Sequence, residues 1–426
     1  MHSNWLSIFL LVSALVAADR FALIVAPRTP YVDYGVPSES CRLYNDLIKG
    51  GMKEENIILM SSKVIANHPS NPFPGQLFTD DSPDAPGVDY AQNCLDHIDY
   101  DESNFRGAFL LNLMTGDVDG VRKLTGIENP KVLNSGPDDE VMIYFTSHGM
   151  KNEIVVGDSY IVKNDFYWAI HCMHDDQKFK HLLIFLETCY SGSMFEGLTL
   201  DDGIFVITAA DNNHESYESH CPPDDVVDGK AIGACLSCLW DNAMEWFIEG
   251  DSSHTLDELF EHTHAKVAEE SKQNVSKFGS MEMGSMKIEE FVGKLPVSRV
   301  GKKRESHSVV AKSMVPAHLA KWRAIRAEKE NGENAMEEYK KIVYENAKRE
   351  IEVMRLGRTL LNEKKVEEAM KVPADVYSPS CVNTLFNGLM NYCDHSYPFP
   401  EKTVYMIRNI CHEHSSVDVD FTSICM

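Results

Sequence analysis

Two stretches of the sequence each run an apolar segment into a reactive side chain: Val141-Met142-Ile143-Tyr144-Phe145-Thr146-Ser147-His148-Gly149 and Leu183-Ile184-Phe185-Leu186-Glu187-Thr188-Cys189-Tyr190-Ser191-Gly192. Short apolar runs of this composition read as buried strands, which puts an imidazole and a thiol each at the carboxyl end of a strand. In an open α/β sheet the carboxyl ends of neighbouring strands face one crevice, and such folds bind ligands there. A thiol that gives its proton to a nearby imidazole becomes a thiolate able to attack a carbonyl carbon. Gly149 adds a second element, because without a side chain its backbone N–H can approach an oxyanion, with the N–H of Cys189 as the other donor. On spacing alone, a plain buried cysteine and a hydrogen-bonded core histidine fit the same pattern.

The surrounding elements have the order needed to bring two strand ends together. Phe21 to Ala26, Asn56 to Met60, Glu140 to Thr146, His181 to Glu187 and Gly203 to Ala209 read as strands separated by longer mixed segments, the pattern of a mostly parallel sheet with helical crossovers. Between the first two, a helix capped by Ser38 places Leu43, Leu47 and Ile48 on one face and stops at Gly50 and Gly51. Pro69 to Pro86, rich in Pro, Asp and Gly, reads as a long surface loop. The character changes near Pro296. Beyond Gly301-Lys302-Lys303-Arg304, charged helical sequence from about Ala317 to Lys371 carries Ile342, Ala347, Ile351, Met354, Leu361, Val366 and Met370 at near-helical spacing, a stripe expected to be buried.

With 426 residues and 43% hydrophobic content, the chain is long enough for two globular units and is neither disordered nor fibrous in composition. Trp5 to Ala18 is apolar, free of charge and ends in small residues, as a cleaved signal peptide does, and it is shorter than the ~20 apolar residues a membrane span needs. No later segment is apolar and long enough to span. In an oxidising compartment Cys381, Cys393, Cys411 and Cys425, crowded near the C-terminus, read as two disulfides of undetermined pairing, and the seven scattered cysteines leave an odd thiol free. Asn274-Val275-Ser276 is a glycosylation acceptor. His262 and His264, like His412 and His414, are spaced as ordinary surface pairs, so neither a metal nor a cofactor is expected.

The net charge of -25 is unevenly spread: Arg299 to Lys371 holds 18 basic and 12 acidic residues, and the rest holds 22 and 53. An acidic body would repel nucleic acid. A basic segment on such a body suggests electrostatic partners that separate as carboxylates are protonated, with a merely solvated helical face as the alternative.

The strand into His148-Gly149 and the run Glu187-Thr188-Cys189-Tyr190-Ser191-Gly192-Ser193-Met194 resemble the legumain family closely, as do Leu133-Asn134-Ser135-Gly136-Pro137, the Asn71-Pro72 loop and the four-cysteine tail. The resemblance covers nearly the whole chain after the leader. It implies a cysteine endopeptidase zymogen with Cys189 as nucleophile and His148 as base, acting on protein and peptide substrates, with no cofactor. It implies a caspase-like α/β fold, a mostly parallel sheet flanked by helices, over residues 19–295. A linker and activation segment over 296–345 and an all-α, death-domain-like C-terminal prodomain over 346–426 would follow. Cys381–Cys411 and Cys393–Cys425 would be the pairing, the prodomain the chain's own inhibitor, and cystatin-like proteins further inhibitors. The secretory pathway, ending in a lysosome or vacuole or outside the cell, would be the location, and Asn331 and Asn334 candidate processing sites.

Departures from the family pattern gather around one pocket. Asp33 stands where an Asn helps orient the imidazole, Gly35 and Val36 stand for an Arg and a His beside the specificity pocket, and Ala234 for a further acidic residue, which leaves Glu187 of the charged set. A carboxylate orients a histidine as an amide does. A pocket without its Arg loses the donor that reads an asparagine carbonyl, so Glu187 would hold water, rise in pKa or favour a cationic side chain. Ser147 replaces an Asp that often precedes the histidine, which leaves ligase activity open. Thr115-Gly116-Asp117 lies where some members carry Arg-Gly-Asp, and no integrin binding is expected. Two other readings fit the fold: a pseudopeptidase that binds or regulates, and the membrane transamidase that attaches lipid anchors, which would carry a C-terminal membrane helix where this chain has its four-cysteine tail.

Overall fold

The computed structural model describes residues 18–79, 87–296, 308–329, 334–371, 374, 377–395 and 399–425. The leader up to residue 17, the loop residues 80–86, Gly301 to Arg304 and Asn331 lie outside the described residues, as do the side chains of Asn334 and Ile342. In chain order the strands are β1 (Arg20–Val25), β2 (Ile57–Met60), β3 (Glu140–Thr146), β4 (Gly149–Met150), β5 (Glu153–Val156), β6 (Ser159–Val162) and β7 (His181–Glu187). They continue as β8 (Ile204–Thr208), β9 (Tyr217–Ser219), β10 (Val226–Val227), β11 (Lys230–Ala231), β12 (Ser237–Cys238), β13 (Ser276–Gly279) and β14 (Val310–Ala311). The helices are α1 (Gly35–Lys49), α2 (Gly107–Thr115), α3 (Val118–Thr125), α4 (Lys163–Asp175), α5 (Leu239–Gly250), α6 (Leu256–Glu270) and α7 (Glu289–Val292). The C-terminal part adds α8 (Val315–Lys329), α9 (Asn334–Leu360), α10 (Glu363–Ala369), α11 (Pro379–Cys393), α12 (Glu401–Glu413) and α13 (Phe421–Ile424).

A six-stranded sheet in the order β13-β8-β7-β3-β1-β2 forms the centre, parallel except for β13. Its inner strands are apolar on both faces because helices cover both. Met142, Tyr144, Leu183, Phe185, Phe205 and Ile207 join one apolar core, and Val141, Ile143, Phe145, Leu182, Ile184 and Val206 join the other. This is the period of two that a doubly covered sheet imposes. The five strands expected from the sequence are β1, β2, β3, β7 and β8, within one residue at each end.

Three expectations need correction. Helix α1 begins at Gly35, and Ser38 lies inside its first turn, where its Oγ donates to the Tyr34 carbonyl at 2.8 Å. Pro37 is tolerated there because the first-turn N–H groups have no helical partner anyway. The loop from Pro69 is partly core: Asn71 Nδ2 donates to the carbonyls of Ala66 (2.8 Å) and Gln76 (3.0 Å), and Leu77 and Phe78 join the core that holds Leu43 and Leu47. In α9 the expected stripe is misplaced. Ala347 and Ile351 are exposed, while Val353 and Leu356 are buried with Leu361 and Val366 in the core of the helical unit.

The helices α9 to α13 have their own core, built around Val353, Leu385, Phe386, Ile407 and Ile410. Disulfides join Cys381 to Cys411 and Cys393 to Cys425 within this unit, and Cys41 to Cys94 and Cys221 to Cys235 within the sheet unit. Cys172, Cys189 and Cys238 are free thiols. No described helix is long and apolar enough to cross a membrane.

Candidate active site

Strands β3 and β7 pair in parallel with Thr146 opposite Glu187. Two residues further along each chain, the same register brings His148 and Cys189 to the carboxyl edge of the sheet as neighbours. Both are buried, and both line one cavity of about 10 Å³ together with Gly149, Tyr190, Glu215, Ser313 and Phe399. That volume holds about one water molecule.

His148 Nε2 lies 2.8 Å from Asp33 Oδ1, and Arg28 Nε donates to Asp33 Oδ2 at 2.7 Å. Burial opposes ionisation of Asp33, but the Arg28 guanidinium and the His148 ring outweigh it and hold this carboxyl well below the usual carboxylate range. An ionised carboxylate only accepts, so Nε2 carries the donating hydrogen and Nδ1 keeps its lone pair. Nδ1 is buried without a hydrogen-bond partner, so its lone pair is open to a proton. Burial first, with the nearby cations Arg28 and Lys312, lowers the pKa of His148 against the pull of Asp33. The Cys189 thiol is pushed up to about 12, first by burial and then by Glu215, while Lys312 and bonds to Ser216 act the other way. In this closed form both groups are neutral, and a thiolate–imidazolium pair is disfavoured.

Beside them lies a buried acidic pocket. Glu187, Cys238 and Asp241 bring ligand atoms within 4.8 Å of one another, and Glu218 lies at its rim, its Oε1 accepting from Cys238 Sγ at 3.7 Å. Burial, compounded by these neighbouring acids, raises the pKa of Glu218 to about 8 and that of Asp241 well above the carboxylate range. The Lys312 ammonium enters this pocket, donating to Glu187 Oε2 and, at 3.0 Å, to the Ser147 carbonyl, with Glu218 Oε1 at 3.8 Å. Of the residues expected at this pocket, Glu187 is present in it. Gly35 packs on the Ser237 backbone, where an added Cβ would lie 3.0 Å from the Ser237 Cα. Ala234 is buried in the apolar core next to the Cys221–Cys235 disulfide and offers the pocket no polar atom.

The C-terminal part covers the site. Strand β14 pairs antiparallel with β9, Val310 opposite Glu218 and Ala311 opposite Tyr217, and the Lys312 N–H donates to the Ser216 carbonyl at 3.1 Å. Phe399 and Val404 close the small cavity, and Met150 packs into the core of the helical unit. Tyr377 Oη donates to the Lys151 carbonyl at 2.6 Å, and Arg326 pairs with Asp225. Among the described residues, Lys312 and Arg326 of the segment pair with Glu187 and Asp225 of the sheet unit, while Lys348 and Lys365 pair within the helical unit.

Sequence reasoning missed Arg28, Ser216, Glu218, Asp241 and Lys312. A signal for the last was present in Val309-Val310-Ala311, three residues of strand-like, apolar character directly before a lysine in the basic segment. Asn274 is half-buried with its amide donated to Asp211 at 2.9 Å, so attaching a glycan would require that bond to open. The paired histidines contact the chain itself: His262 stacks on Phe247, and His414 Nε2 lies 2.9 Å from the Leu360 carbonyl. Thr115-Gly116-Asp117 makes a helix-to-helix turn, with Gly116 at φ 72° and Asp117 capping α3 through Gly120 N–H.

A thiol and a carboxylate-oriented imidazole sharing one cavity at the edge of a mostly parallel sheet form the constellation of a cysteine hydrolase. Comparison with known proteins narrows the class. The family model for the peptidase C13 family matches residues 20–294. Vacuolar-processing enzyme delta-isozyme from Arabidopsis thaliana is 28% identical over 95% of this chain and 88% of its own length. Hemoglobinase from Schistosoma mansoni is 29% identical over 65% of this chain and 59% of its own length, and legumain from Canavalia ensiformis 29% over 63% and 55%. Caspase-1 from Spodoptera frugiperda superposes with a TM-score of 0.39 and 10% identity over 66% of this chain and 93% of that one. The chain belongs to the peptidase C13 family of cysteine-type endopeptidases.

Proposed function

We propose that the chain is the latent form of a legumain-like endopeptidase in which Cys189 is the nucleophile, His148 the base, Asp33 the residue that positions it, and the N–H groups of Gly149 and Cys189 the oxyanion donors. Support comes from the β3/β7 register and from the one cavity that His148 and Cys189 both line, with Nδ1 lacking a hydrogen-bond partner. In the reaction, Nδ1 takes the thiol proton and the thiolate attacks the peptide carbonyl carbon. The imidazolium then protonates the amine as the C–N bond breaks, leaving a thioester on Cys189. Water, deprotonated by His148, attacks that thioester and releases the acid and the free thiol.

Latency follows from the cover. With residues 310–313 in the groove and Phe399 over the cavity, no peptide can enter, and burial keeps the thiol protonated. The segment over 296–345 and the helical unit over 346–426 therefore act as the inhibitor in cis. A basic segment held on an acidic body is loosened as the body's negative charge falls, which supports release in an acidic compartment such as a lysosome or vacuole. The vacuolar-processing names of the relatives favour that location.

The test is mass-spectrometric labelling of the full chain with a peptidyl electrophile at neutral and acid pH. Labelling of Cys189 that appears on acidification, with peptide hydrolysis that is lost in Cys189→Ala, is the expected result. Hydrolysis surviving in Cys189→Ala, or a Cys189 that no electrophile reaches after opening, would refute the assignment.

A further inference from the structure

The Glu187 pocket already contains a side chain, and its identity is informative. Residues 310–312 lie in the groove as an added antiparallel strand on β9, the main-chain pairing by which extended peptides are commonly held. The residue at the end of that strand, Lys312, fills the acidic pocket, and the next, Ser313, lines the cavity of His148, Gly149 and Cys189, with its Oγ donating to Glu215 at 2.7 Å. The chain thus lays itself along the groove with the Lys312 side chain in the pocket and the next residue, Ser313, in the cavity that Cys189 lines.

We infer that the primary specificity pocket reads a lysine, so that the enzyme cuts after Lys, with Glu187, Glu218 and Asp241 as the specificity-determining acids. This rests on the peptidase reading above and names the substrate class for the same site. The pocket offers the ammonium Glu187 Oε2, the Ser147 carbonyl and the field of Glu218, while Glu187 Oε1 and Asp241 Oδ1 are buried and lack hydrogen-bond partners. A cation satisfies such a set. An asparagine amide is neutral and shorter, and it would leave the Glu187 carboxylate buried without a counter-charge, a mismatch that costs at least about 10²-fold. Among the described residues, the cation paired with Glu187 comes from the covering segment and not from the sheet unit. Lysine is preferred to arginine because the contacts converge on one point, which suits a compact ammonium better than a planar fork.

The full chain, activated by acid incubation or by limited proteolysis and counted by peptidyl-electrophile labelling of Cys189, is given quenched peptides of the form Val-Val-Ala-Xaa-Ser-Met, copied from residues 309–314. With Xaa as Lys, kcat/KM should exceed that for Arg about tenfold and those for Asn and Asp at least about 10²-fold. In Glu187→Gln the Lys-to-Asn ratio should fall at least tenfold while iodoacetamide still alkylates Cys189. An enzyme that labels at Cys189 and cuts the Asn or Asp peptide as fast as the Lys peptide overturns the lysine assignment alone. A chain that neither labels nor cuts overturns the peptidase reading with it.

Discussion

Replacing Lys312 by Met keeps the length and apolar stem of the side chain and removes the ammonium from a fully buried site. In the closed form Glu187 would then face Asp241 and Glu218 with no cation among them. Removing one partner of a buried ion pair costs about 3–5 kcal/mol, because the other charge stays desolvated. The penalty falls on the closed form alone, since water reaches the pocket once β14 leaves the groove. At about 1.4 kcal/mol per tenfold, the closed-to-open ratio drops by a factor of about 10² to 10³·⁵. When alkylation proceeds through rapid opening, its rate follows that ratio. Iodoacetamide modification of Cys189 at neutral pH, followed by peptide mass spectrometry with the partly exposed Cys172 as internal reference, should therefore be at least about 10² faster in Lys312→Met than in the parent. If both proteins melt cooperatively and Cys189 reacts at rates within twofold, the ammonium does not hold the segment closed and latency has another cause.

Asp33→Ala should lower kcat by about 10² to 10⁴, whereas Asp33→Asn keeps an oxygen for Nε2–H, retains most of kcat and moves the His148 titration to lower pH, as NMR of the activated enzyme would register. Gly149→Ala puts a Cβ 2.5 Å from the Cys189 carbonyl oxygen; the strand end must shift, and kcat should fall at least about 10²-fold. Glu153 is buried against the helical unit near Arg408, and burial raises its pKa to about 8. Docking therefore takes up a proton there between about pH 8 and the ordinary carboxylate range, so this contact tightens as pH falls and opposes acid release. Glu153→Gln should make opening, measured by Cys189 alkylation from pH 8 to 5, more steeply acid-dependent. Removing the Cys393–Cys425 link, which spans 32 residues, through Cys393→Ala with Cys425→Ala should cost the helical unit about 3–4 kcal/mol, read as a lower first transition in calorimetry.

The parts legible in the sequence are those set by local pattern. Five strands and their parallel order follow from apolar runs that helices must cover on both faces, and two of those runs end in the reactive residues. Asp33 is legible only through a family resemblance, since nothing in Tyr31 to Pro37 marks it as facing a histidine 115 residues away. Its partner Arg28, and the acids Glu218 and Asp241, are separated in sequence from Glu187 by loops whose course no periodicity encodes. The start of α1 is misread from sequence because Ser38 satisfies capping chemistry locally while Tyr34 and Gly35 are held by packing, Gly35 directly on β12. The lost specificity charges illustrate the same limit from the other side. Gly35 and Ala234 mark a departure from the family pattern in sequence, but that Glu187 meets an ammonium 125 residues downstream depends on one strand crossing the groove. A pocket's preference is a property of the charge left unbalanced when it is empty, and here the departure of Lys312 leaves Glu187 without its cation.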